Sequence, residues 1–334
     1  MKKTIGVLAT GVLLLTAIHP VTERVKEAQA SETMSSGSLQ LAEMNDFFAG
    51  NQVDKQSYIH SFIPKNSKKA PVVMIPGLGL GANIYESTPD GENGWAYSFA
   101  DAGHPVYTVD THDLSSAGLT EEEALASLSR WDSESIWPRW GLGSAPATPY
   151  PDGQFPADYF HEFYESIPMQ IKDTSAGEAT GVKAGGGSRA DQQEVGNMIA
   201  LLERTGPSIL LVHSMGGEIG YEVARQRPDL VEGIIAIEPV GSPTDPEEVK
   251  EVFADIPYLG VYGDYLESRN QVSRMEAVQE TVDLISGYKG KAELIRLTEE
   301  GIDGNSHLMM LDKNSEVISE KILQWLKENH IGQS

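Results

Sequence analysis

The chain contains no cysteine. That excludes thiol catalysis, cysteine-based zinc sites, iron–sulfur clusters and disulfides. Basic residues are scarce too, with 25 Lys and Arg against 49 Asp and Glu, for a net charge of −24. Such a surface repels nucleic acid and anionic membranes, and neither is expected as a partner. The longest apolar run, Ile5 to Ile18, falls short of the roughly 20 residues needed to span a bilayer. Stable membrane insertion is therefore not expected. No pair among the eight histidines has H-x-x-x-H or H-E-x-x-H spacing, so no metal site is expected and no cofactor is implied.

What is present begins with an export signal. Lys2 and Lys3 precede the apolar run, and Ala28-Gln29-Ala30 has the small-x-small form of a cleavage site. Residues 1–30 thus read as a signal peptide, with a mature chain starting near Ser31 outside the cytoplasm. Cleavage would remove four basic and two acidic residues and leave a charge of −26. Ser31 to Ser38 reads as a disordered lead-in. The remaining length suits one large α/β domain.

Short apolar runs alternate with helical patterns, as in parallel βαβ units. Strands are expected at Ser57–Pro64, Pro71–Ile75, Pro105–Asp110, Ser208–Val212, Val231–Ile237, Tyr258–Tyr262 and Ala292–Leu297. Helices are expected at Trp95–Ala102, Glu121–Leu128, Glu218–Gln226, Met275–Ser286 and Ser315–Glu328. One more starts at a cap on Ser188 or Asp191 and runs to about Thr205. Between about 119 and 187 the rhythm stops. Three of the five tryptophans lie there, at 131, 137 and 140. An aromatic insertion after a sheet strand reads as a cap over a site. Ala184 to Ser188 reads as a flexible joint.

The chain is organised around Pro207–Gly217, where an apolar strand runs into His213-Ser214-Met215-Gly216-Gly217. A Ser on a tight strand-to-helix turn can stand clear of the sheet as a nucleophile. Small residues are needed two before and two after it, because strand and helix approach closely. Gly216 and Gly217 meet the second demand. Val212 stands where the first small residue belongs, and its branched side chain is expected to crowd the helix.

A nucleophilic Ser needs a base, and the base an acid. His307, in the loop after the last strand, is placed for the base. Glu238 and Asp264 end successive strands, and their spacing leaves the choice of acid open. An oxyanion hole needs two amides aimed where charge develops. Met215, directly after the Ser, and Leu78, in the loop Pro76-Gly77-Leu78-Gly79, are the candidates. Asp110, His112 and Asp113 form a polar cluster read as ordering its loop.

The chain resembles the α/β-hydrolase superfamily over nearly all of its mature length. It looks most like exported bacterial carboxylesterases whose acid is a Glu after the sixth strand. The matching stretches are Pro89-Asp90-Gly91 with Gly94-Trp95, Val106-Tyr107 to Asp110, and Gln154-Phe155-Pro156. Ile237-Glu238-Pro239-Val240 and Gly304-Asn305-Ser306-His307-Leu308-Met309-Met310 are the most specific. The resemblance implies an α/β-hydrolase fold with a mostly parallel sheet, helices on both faces and an inserted cap. It implies Ser214, Glu238 and His307 as a triad, with Leu78 and Met215 as oxyanion donors; Asp264 stays the alternative acid that spacing leaves open. The expected reaction is hydrolysis of a small ester with an apolar acyl or aryl group through an acyl-enzyme. Lipase, lactonase or amidase action on the same site, or a binding protein that kept the fold, are the rival expectations.

Overall fold

Two layers of helices sandwich one twisted sheet, because most of its strands are apolar on both faces. The structure, a computed structural model, describes residues 38–125, 128–171 and 191–333. The expected signal peptide, most of the lead-in and the Ala184–Ser188 joint lie outside the described residues. The described residues from Leu39 onward form one compact unit.

The sheet strands are β1 (Leu41–Ala49), β2 (Ser57–Pro64), β3 (Val72–Ile75), β4 (Val106–Asp110), β5 (Ser208–His213), β6 (Val231–Ile237), β7 (Tyr258–Tyr262) and β8 (Ala292–Arg296). Their spatial order is β1-β2-β4-β3-β5-β6-β7-β8. β1 and β2 pair antiparallel, as do β2 and β4, and all other pairs are parallel. The reversal of order between β3 and β5 leaves a crevice at the carboxyl ends of the central strands. Open α/β sheets bind ligands there.

Side chains alternate with period two along each strand. Val72 and Met74 of β3 and Ile209 and Leu211 of β5 enter one buried cluster, while Val73, Ile75, Leu210 and Val212 enter the other. The first cluster is closed by α1 (Trp95–Asp101) through Trp95 and Phe99, and by α5 (Ser315–Glu328) through Ile318, Ile322 and Trp325. The Trp95 indole N–H donates to the Ser315 carbonyl at 2.9 Å and ties these two helices together. The second cluster is closed by α2 (Gln192–Thr205), α3 (Gly216–Gln226) and α4 (Val272–Gly287). The α2 helix is capped by Asp191, whose carboxylate accepts the Gln193 amide.

The structure adds one strand to the main sheet and four short strands to the insertion, and it shortens one helix. β1 is an edge strand with most of its side chains exposed, so it carries no alternating apolar signal. It exists because its backbone completes the ladder of β2. The helix expected over Glu121–Leu128 spans only Glu121–Ala124, held by a capping box between Thr120 and Glu123. Leu128 instead enters a two-residue strand with Ser129 that pairs with Gln170–Ile171. The insertion otherwise uses short elements, and Ile136, Trp137, Trp140, Phe155 and Phe163 pack into the same cluster as α1 and α5.

Candidate active site

Ser214 sits where β5 turns into α3, with φ +50°. A branched or polar L-residue adopts this left-handed conformation at a cost, and such strain persists only where the surroundings impose it. Here three backbone bonds impose it. The Ser214 amide donates to Ile237 O at 3.1 Å, and the Ser214 carbonyl accepts from Val240 at 2.8 Å and Gly217 at 3.0 Å. Gly216 allows the helix to start close to the sheet: a Cβ there would lie 2.6 Å from the carbonyl oxygens of Ile75 and Pro76.

The expected crowding at Val212 is relieved from the opposite side. Val212 is fully buried, and a Cβ placed on Gly220 would lie 2.5 Å from its Cγ1. The missing side chain has moved from strand to helix, one turn inside α3. The close approach is kept with a branched residue on the strand.

His307 reaches the site from the loop after β8. Its Nδ1–H donates to Glu238 Oε2 at 2.6 Å, which leaves Nε2 as the acceptor. The loop is held on every side. His307 N–H donates to the Trp140 carbonyl at 2.8 Å, and the Gly304 carbonyl accepts the Gln154 amide at 2.8 Å. Gly304 has φ +79°, and a Cβ there would lie 2.0 Å from Asp152 O, so only glycine fits. Inside the loop, the buried Asp312 carboxylate accepts Ser306 N–H, Ser306 Oγ–H and the Asn305 side-chain amide at 2.7–2.9 Å. Burial pushes that carboxyl up to about 6, against the pull of these hydrogen bonds.

Glu238 ends β6 with φ +41° and is 2% exposed. Arg269 grips it with two bonds, Nη1–H to Oε2 at 2.7 Å and Nη2–H to Oε1 at 2.9 Å. Gly263 N–H adds a third at 3.0 Å. Burial works to raise the Glu238 carboxyl, but the Arg269 charge and the bond from His307 outweigh it and hold it well below the usual carboxylate range. Asp264 is turned elsewhere. Its carboxylate accepts the amides of Tyr265 at 2.6 Å and Gly304 at 3.1 Å. The structure therefore brings Glu238, and not Asp264, to His307.

Burial lowers the His307 pKa below its ordinary value, and the bond to Glu238 only partly restores it. The imidazole is thus neutral at pH 7 and able to take a proton. His213, the residue before Ser214, is fully buried and held neutral by burial and by the nearby His307. Its Nε2–H donates to the His307 carbonyl at 2.9 Å.

Leu78, Met215, Ser214 and His307 line one cavity of about 540 Å³, its open mouth included. Neither the Leu78 nor the Met215 amide donates to a backbone carbonyl among the described residues. The Trp131 indole N–H holds the Leu78 carbonyl at 2.7 Å. Asp110 anchors the other end of this loop by accepting the Ala82 amide at 2.7 Å. His112 Nε2–H meets Asp191 at 2.7 Å, tying the loop after β4 to α2. Trp131 and Trp140 of the insertion form part of the cavity wall. Among the described residues no three His, Asp or Glu side chains are grouped to hold a metal ion.

Sequence reasoning missed Arg269, His213 and Asp312. An arginine that will be buried carries no local mark distinguishing it from the surface arginines. His213 carries a signal in the sequence, since it stands directly before Ser214 in the stretch around which the chain is organised.

No family model matches the chain. It is 24% identical over 389 residues to the protein named Probable secreted lipase phiG of a fungus (Fungal sp., strain ATCC 74256), covering 98% of this chain and 99% of that one. Among solved structures it is similar to a novel bacterial esterase determined at atomic resolution. The two are 26% identical, the match covers 89% of this chain and 98% of the esterase, and the TM-score is 0.75.

Proposed function

We propose that this chain, an esterase- or lipase-type hydrolase of the α/β-hydrolase fold, is an exported serine carboxylic ester hydrolase. It works through Ser214, His307 and Glu238. The carrying observation is the buried relay of Arg269, Glu238 and His307 Nδ1, which leaves Nε2 of a neutral imidazole as a base in the cavity of Ser214.

In the first step His307 Nε2 takes the Ser214 proton as Oγ bonds to the ester carbonyl carbon. The carbonyl oxygen becomes an oxyanion between the Leu78 and Met215 amides. One such donor contributes on the order of 10²–10³ in rate. Glu238 stabilises the imidazolium that forms. Collapse breaks the bond to the alcohol, which leaves with the proton from His307. Water then attacks the acyl-enzyme, giving its proton to His307. The second collapse releases the acid and returns the proton to Ser214.

Trp131 and Trp140 in the cavity wall support an apolar acyl or aryl group. Export is supported by the amino-terminal sequence and by the name of the fungal relative. Among the described residues no helix is long and apolar enough to cross a membrane. The relative's name also favours a lipase reading, which predicts a jump in activity when a soluble ester exceeds its solubility.

Intact-mass labelling with a fluorophosphonate tests the assignment. One adduct is expected on the wild type and none on Ser214→Ala or His307→Ala. An equal adduct on Ser214→Ala would overturn it.

A further inference from the structure

The cavity around Ser214 is lined by two arginines that form no ion pair with a carboxylate of the described chain. Arg139, on the short helix Ile136–Trp140 of the insertion, and Arg274, in the first turn of α4, both line it. Five of the eight arginines of the described chain, at 130, 225, 227, 269 and 296, make ion pairs with carboxylates; these two and Arg204, which stacks over Phe47, do not. With 49 acidic residues against 25 basic ones, partners are abundant. Two of the three arginines without an ion pair therefore fall in one cavity.

The two groups are also placed. The Arg139 guanidinium stacks over Trp131, 4.8 Å from the ring centroid. Arg274 is half-buried. Burial lowers its pKa most; Tyr262 and Glu238 act to raise it and the positive charges of Arg139 and Arg269 to lower it, so the two guanidinium groups lie within reach of each other's field. Arg269 is already satisfied by Glu238 and cannot serve a ligand.

We propose that Arg139 and Arg274 form a subsite for a free carboxylate on the substrate, so that the ester hydrolysed is an anionic one. This rests on the ester-hydrolase reading above and names its substrate class. The planar fork of arginine matches a carboxylate with two parallel hydrogen bonds. The acidic surface does not gather anions from solution, so recognition falls to this local pair. The carboxylate lies on either the acyl or the alcohol side of the ester, as in a hemiester of a dicarboxylic acid or an ester of a hydroxy acid.

The test is the ratio of kcat/KM for an anionic ester to that for a neutral partner of similar shape. Monoethyl adipate against ethyl adipamate reads the acyl side. 4-Acetoxybenzoate against 4-acetoxybenzamide reads the alcohol side. A ratio does not depend on how much enzyme is folded. The wild type is expected to prefer the anion by roughly 10- to 100-fold in at least one pair, the scale of a charge-assisted hydrogen bond. Arg139→Gln with Arg274→Gln should bring that ratio to within about threefold of one. Arg227→Gln with Arg296→Gln, the same loss of two positive charges at partly exposed positions outside the cavity, should leave the preference in place. Preference for the neutral ester in both pairs, or an anion preference that survives the double variant, overturns the subsite. If the wild type turns over neutral esters and takes the fluorophosphonate while showing no anion preference, the subsite alone fails. If it does neither, the hydrolase assignment fails with it.

Discussion

A double-mutant cycle on Val212 and Gly220 reads the packing that lets this elbow form. In Gly220→Ala the new Cβ falls 2.5 Å from Val212 Cγ1, far inside contact distance. Overpacking of this kind costs about 1–3 kcal/mol, and the gain from replacing a helical glycine is about 1 kcal/mol. The single variant is therefore expected to lose about 0–2 kcal/mol. Val212→Ala removes two methyl groups from a fully buried side chain, for a loss of about 2–3 kcal/mol once the cavity is counted. In the V212A background the clash has gone. There Gly220→Ala fills part of the cavity and keeps its helix propensity, so it should gain about 1–2 kcal/mol. The coupling is then about 1–4 kcal/mol, with the double variant more stable than V212A alone. Urea unfolding of the four proteins measures it. Additivity within about 0.5 kcal/mol would refute the claim that the space has been exchanged between strand and helix.

Three further outcomes follow from the site. Glu238→Gln should lower kcat by about 10³–10⁴, because the imidazole loses its acceptor and its tautomer, while Asp264→Asn should cost less than about tenfold. The reverse ranking would move the acid to Asp264. Arg269→Met leaves Glu238 buried without its cation and should cost about 3–5 kcal/mol at pH 7, read by urea unfolding. Glu238 is depressed in the fold, so its contribution is present above the unfolded carboxylate range and is lost as pH falls through the folded value. The gap between wild type and variant should therefore close on acidification. Removing Arg269 also takes away a charge that lowers the His307 pKa, so the acid limb of kcat/KM should move to higher pH. An unmoved limb would contradict the relay. Asp312→Asn puts an amide where two donors converge and should cost about 2–4 kcal/mol at pH 7, with kcat falling more than KM rises. Because Asp312 is raised to about 6, it withdraws stability as pH rises from about 3.8 to that value. The variant should lack that slope in urea midpoints between pH 4 and 6.

Local physics made much of this protein legible in one dimension. Buried strands show as short apolar runs, since a strand covered on both faces has no polar side to display. The elbow shows because a tight strand-to-helix turn demands glycine at Gly216. The place of His307 shows because the loop after the last strand ends at the carboxyl edge of the sheet. The tertiary structure decided what depends on distance between remote segments. Glu238 and Asp264 each follow a strand and look alike in sequence, and only the docking of the Gly304–His307 loop turns one toward His307 and uses the other to hold the loop. Arg269 becomes an ion-pair partner 31 residues from Glu238 because the segment before α4 folds back over the end of β6. β1 is a strand because β2 offers an unpaired ladder, not because its own residues call for one. Val212 departs from the small-residue rule without penalty because Gly220 faces it across the strand–helix interface, and that exchange exists only once the two elements touch.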